Sequence, residues 1–152
     1  MKKIAALIIA TILLSAVTSR VLALDLEYVR KSYEQAVKNE KLCSSLIEQL
    51  SGQTNNVVYL GYLGAFQTIW ANHTSNPLAK LNTFNKGKKH IEQAIKAAPD
   101  NVELRFIRLS IQVNCPDFLN YSSNIKEDKK FIKTNLHKIE SKSLTAMCNK
   151  LI

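Results

Sequence analysis

Apolar positions recur along most of this chain at three- and four-residue steps, the pattern of helices with one buried face. Leu26, Val29, Tyr33, Ala36/Val37, Cys43, Leu46/Ile47 and Leu50 form the first such stripe, with Glu27, Arg30, Lys31, Glu34, Lys38 and Glu40 on the other face. Asp25 supplies a cap and Ser51-Gly52 a stop, so one long amphipathic helix is predicted from Leu26 to Leu50. Val57 to Ala71 differs, because its apolar residues surround the axis. A helix apolar all round belongs at the centre of the fold. Gly61 and Gly64 lie within it on nearly one face. Glycine inside a helix costs about 1 kcal/mol relative to alanine, so close approach of a neighbouring helix is the expected reason for both.

Asn76-Pro77 reads as a helix start, with Asn as cap and Pro in the first turn. Leu78, Leu81, Phe84, Ile91, Ala94/Ile95 and Ala98 form the stripe that follows, interrupted at Lys88, so one helix or two shorter segments are expected before Pro99. Asp100 to Glu103 has the spacing of a capping box. The helix after it has two apolar flanks: Val102, Phe106, Leu109 and Val113 on one, Leu104, Ile107 and Ile111 on the other. Arg105, Arg108 and Gln112 share the polar strip between them. That layout predicts a helix sandwiched between two neighbours with one polar edge open. Cys115-Pro116 breaks the chain, and Phe118, Leu119 and Tyr121 suit one or two helical turns. Ile125, Phe131, Ile132, Leu136 and Ile139 follow at near-helical spacing after a cap-like Asn124, and the tail from Leu144 is weakly helical. With only four Gly and three Pro, the expectation is an all-α protein of about five to six helices.

Gly87, Ile91, Ala94 and Pro99 fall at offsets of four, three and five. This resembles the second half of a tetratricopeptide repeat, in which small residues let paired helices touch and Pro ends the second helix. The first half departs from that pattern, since Leu60-Gly61 and Leu63-Gly64 sit too far upstream. The resemblance implies a right-handed stack of antiparallel helix pairs, with a concave groove that binds peptides. A compact bundle, or a homodimer that completes the stack, is the alternative at this length. The stretch from Ala98 to Leu109, continued by Pro116, Phe118-Leu119, Tyr121 and Asp128, is similar to small exported proteins of Bacteroidetes-type bacteria, which supply no activity to carry over.

The N-terminus places the protein. Met1-Lys2-Lys3, an apolar run from Ile4 to Val17 and a Val21-Leu22-Ala23 site make an export signal, with cleavage expected after Ala23. An uncleaved anchor is the alternative, although it would bury Arg20. A single helical domain over 24–152, located in the periplasm or cell envelope, follows. The chain is 46% hydrophobic, ordinary for a globular protein, and carries a formal charge of +9, of which Lys2, Lys3 and Arg20 would leave with the signal. The remaining basic excess would favour anionic partners such as acidic proteins, lipid head groups or polysaccharide, with a Lys-rich solvated face that serves solubility as the leading alternative. In an oxidising compartment one disulfide can form among Cys43, Cys115 and Cys148. Cys115 with Cys148 is preferred, because both lie near element ends; three unpaired thiols are the alternative.

Recognisable catalytic chemistry is missing. His73, His90 and His137 have no ligand-spaced partners, and neither H-E-x-x-H nor C-x-x-C occurs. G-x-S-x-G and the phosphate-binding G-x-x-x-x-G-K-[ST] are also lacking. The Lys86–His90 cluster would spread around a helix, and nucleic-acid binding conflicts with export. The expectation is a non-enzymatic interaction or adaptor module without cofactor or metal, binding a protein or peptide of acidic character. Arg105, Arg108 and Gln112 are the candidate contacts, with an ordinary solvated edge as the alternative. An envelope enzyme assembled from distant residues, or a binder of anionic glycans or lipids, are the competing functions.

Overall fold

A computed structural model describes residues 24–152; the expected export signal and the expected cleavage after Ala23 fall outside the described residues. Among the described residues seven α-helices follow in order: α1 (Leu26–Ala36), α2 (Glu40–Ser51), α3 (Val57–His73), α4 (Pro77–Ala97), α5 (Val102–Gln112), α6 (Ile125–Asn135) and α7 (Lys142–Asn149). Single 3₁₀ turns sit at Asp117–Leu119 and Leu136–Lys138, and no strand occurs among the described residues. The all-α class is as expected, with more helices than the five to six read from the pattern.

The extra helix comes from the first stripe, which is not continuous. Asn39 takes an extended conformation and accepts a hydrogen bond from the Leu42 N–H, starting α2 afresh after α1 has ended. The break turns Val37 out of the apolar stripe to 47% exposure. Asp25, Asn56, Asn76 and Ser141 cap α1, α3, α4 and α7 in the same way, each side-chain oxygen accepting a first-turn N–H that has no partner inside the helix. Before α5 the cap is Asn101 rather than Asp100, and Glu103 turns inward instead of closing a capping box. Lys88 does not divide α4, which runs unbroken past it.

The apolar-all-round segment is the central helix. α3 packs against α1, α2, α4 and α5. Its partnership with α4 is the closest in the molecule, and two glycines explain it. A Cβ built on Gly64 would lie 2.6 Å from the Gly87 carbonyl oxygen, and one on Gly87 would lie 2.4 Å from that of Gly64. Backbone meets backbone there, so neither site has room for a side chain. On the opposite side of α3, Tyr33 meets Tyr62, Phe66 and Phe106 edge to face, and Tyr62 stacks on Phe66, in a cluster joining α1, α3 and α5.

A buried ion pair fixes the same three helices. Arg30 of α1 donates from Nε and Nη2 to the two carboxylate oxygens of Glu103 on α5, at 2.7 and 2.6 Å, and the Tyr62 hydroxyl of α3 donates to Oε1 at 2.8 Å. Such a forked pair tolerates burial because both charges keep hydrogen bonds.

The last helix returns to the first. α7 packs on α1, and Lys150 at its end pairs with Glu34. In an open repeat array each unit touches only its neighbours; here α1 contacts α5 and α7, as in a closed bundle. No helix among the described residues is long and apolar enough to cross a membrane.

Candidate functional site

The expected open edge of α5 is closed. α6 lies along it and delivers Asp128, which is fully buried, between the two arginines. Arg108 donates from Nε to Asp128 Oδ2 at 2.7 Å, from Nη2 to Oδ1 at 2.8 Å and from Nη1 to Glu92 at 3.2 Å. Burial alone would lower its pKa; the bonds and charge of Asp128 outweigh that and hold it above the ordinary guanidinium value. Arg105 donates from Nη1 to Glu127 at 2.9 Å and to Asp128 at 3.0 Å, and from Nε to the Pro99 carbonyl at 2.9 Å. The bond from Arg105 holds the Glu127 carboxyl below its ordinary value. Gln112 is 2% exposed, donates to Asn124 at 3.3 Å, and leaves its own Oε1 unpartnered. Tyr121 completes the seam by donating to Glu92 at 2.6 Å. Arg105, Arg108 and Gln112 therefore spend their hydrogen bonds inside the fold, and the edge offers an acidic ligand no open face.

The opening lies on another side of the same helix. A cleft of about 870 Å³ forms at one end of the bundle, where the C-terminal parts of α1, α3, α5 and α7 meet the N-terminal part of α4 and the 117–119 turn. Tyr33, Ile69, Phe84 and Phe106 make its buried floor, and Ile111 and Met147 stand on its walls. Val37, Leu81 and Phe118 rim the mouth, with Phe118 83% exposed. Leu78 and Leu81 were expected on the buried face of α4; they are 68% and 41% exposed, and burial of that stripe begins at Phe84. Gly64 meets Gly87, nine residues before the end of α3 and ten after the start of α4, so the first turns of α4 lie beside the last turns of α3, and Leu78 and Leu81 are exposed there all the same.

Most polar groups of the cleft are engaged within the fold, with Asn72 exposed at its edge. Tyr33 Oη and Ser110 Oγ lie 2.7 Å apart, and burial pushes the Tyr33 phenol up to about 12. Thr68 donates to the Ala65 carbonyl, and Asn114 Nδ2 to the Ser110 carbonyl. Glu34, the only carboxylate in the lining, is paired with Lys150 at 2.7 Å. Lys80 at the mouth has no ion pair among the described residues. Histidine is absent from the lining.

All three cysteines are free, so the expected Cys115–Cys148 disulfide is not formed. The two occupy different settings. Cys115 is half-buried on the cleft wall near Lys88 and Asp117, whereas Cys148 is fully buried on α7 near Glu103. Burial raises both thiols, that of Cys148 to about 12, which leaves them as neutral packing groups near neutral pH. Cys43 is likewise buried, its thiol donating to the Phe66 carbonyl. No cluster of metal-ligating side chains occurs among the described residues.

No family model, curated protein or solved structure matches this chain. The cleft must be interpreted from its own chemistry.

Proposed function

We propose that the protein is a non-enzymatic binding module of the periplasm or cell envelope, and that the cleft, rather than the α5 edge, receives its partner. One observation carries this reading: an apolar cavity of about 870 Å³ has its mouth rimmed by exposed Leu81 and Phe118. Ligand sites typically occupy about 300–1,000 Å³ and are mostly apolar with a few polar groups. Large apolar side chains left in water around such an opening mark an interaction site. The lining holds no histidine, and its one carboxylate is neutralised by Lys150, so the acid–base pair that hydrolytic chemistry would need is not assembled there. The closely apposed α3–α4 hairpin, with Gly87, Ile91 and Ala94 on its inner side and Pro99 beyond it, supports descent of this segment from a tetratricopeptide-like pair.

The test is fluorescence of a neutral naphthylamine dye that brightens in apolar surroundings. The protein should enhance its emission saturably, with one dye per chain. Replacing Leu81 and Phe118 together by Asn should abolish the enhancement and leave the helical circular dichroism intact. Emission unchanged by that double substitution would remove the cleft as the site.

A further inference from the structure

We propose that the occupant is a single hydrocarbon chain carrying a terminal anion, with the chain in the cleft and the anion at Lys80. This rests on the cleft being the binding site, and it adds the chemistry of the ligand. Three observations point the same way. The first concerns what the cleft lacks. Tyr33 and Ser110 are bonded to each other, while Thr68 and Asn114 are bonded to backbone carbonyls. A peptide inserted here would give up its backbone hydrogen bonds to water and find few replacements, which disfavours its burial. A hydrocarbon chain has no such bonds to lose, and it gains from every methylene removed from water.

The second concerns charge. Lys150 and Glu34 cancel at the rim, and among the described residues Lys80 remains as the lining cation without an ion pair. Lys80 precedes Leu81 on α4, so a charged terminus outside the mouth and an apolar body inside it are matched by adjacent residues. A second copy of this chain would instead bring the same uncompensated lysine to the contact. The third is adaptability. Met147 on the wall is unbranched, and such a side chain reshapes to follow a flexible aliphatic ligand.

Calorimetric titration of the full chain with dodecanoate, tetradecanoate, dodecyl phosphate and dodecanol, each below its aggregation threshold, tests this. The two carboxylates should bind one per chain, with each added methylene tightening binding about fourfold. Dodecanoate should bind about tenfold more tightly than dodecanol, the size expected of one charge-assisted contact. The phosphate arm identifies the preferred anion, and tighter binding than dodecanol by either anion supports the proposal. Lys80→Gln should bring dodecanoate down to the level of dodecanol without changing dodecanol itself, and the side chain is exposed enough for the fold to tolerate the change. Equal binding of dodecanoate and dodecanol would overturn the role of the anion while leaving the cleft as a binding site. Failure of all four to displace the neutral dye would overturn the hydrocarbon assignment. A concentration-dependent dimer in sedimentation, lost with Phe118→Asn, would assign the cleft to a second copy instead. No binding of dye or amphiphile would remove both readings together.

Discussion

Two sides of α5 have exchanged the roles that their residues suggest. The side bearing Arg105, Arg108 and Gln112 is sealed, and the end bearing Phe106 and Ile111 opens onto a cleft. Side-chain polarity describes the cost of burial for an isolated residue; it does not say what a distant segment will bring. Asp128 arrives 20 positions after Arg108 and makes the burial of a guanidinium tolerable. Among the described residues nothing comparable arrives over Leu78, Leu81 and Phe118, which are left exposed. The sealed side is charged and the open side is apolar because partners, not polarity alone, decide exposure.

The strongest way to break this comparison is Asp128→Ala. It takes the buried carboxylate from both arginines, leaving Arg108 only Glu92 and Arg105 only Glu127, and should cost about 3–5 kcal/mol of stability in denaturant titration. A loss below 1 kcal/mol would mean that water reaches the seam and that the edge is open after all. Gly64→Ala should have a smaller effect, about 1–3 kcal/mol, because the new Cβ meets the Gly87 carbonyl and pushes α4 from α3. It should also weaken dye binding, since the N-terminal part of α4 forms one side of the mouth. Phe118→Asn sharpens the contrast from the other side. Its side chain is exposed, so stability should move by no more than about 0.5 kcal/mol while ligand affinity falls.

The smallest effect belongs to pH. His90 of α4 lies within hydrogen-bond reach of Gln67 on α3, and burial, then Lys86 and Lys89, hold its imidazole below the ordinary 6.5. The folded state therefore prefers the neutral ring. That contribution is complete above pH 6.5 and is lost as the pH falls through the lower folded value. Melting temperatures of wild type and His90→Asn should converge as the pH falls below 6.5, because the substitution removes this one dependence.

Local chemistry made the helical class readable. The central position of α3 followed from its all-round apolarity, and the close approach of neighbours at Gly61 and Gly64 from the cost of glycine in a helix, while Gly87 was marked only by its repeat-like spacing. Caps were legible where a single Asn or Asp preceded a stripe, as at Asn76, and misplaced where two polar residues competed, as at Asp100 and Asn101. The candidate site was not legible. Its lining comes from five helices and a turn, and no spacing rule links Val37 to Ile111 or Met147. Arg105 and Arg108 misled because no pattern within α5 announces a partner from α6.

The contact between α1 and α7 also bears on how such a protein can change over time. An open array lengthens by copying a hairpin, and each copy adds binding surface. Among the described residues the last helix packs back on the first, so a copied hairpin could be added there only by breaking the Lys150–Glu34 contact. Replacing Leu81 or Phe118 at the mouth of the cleft leaves that contact intact.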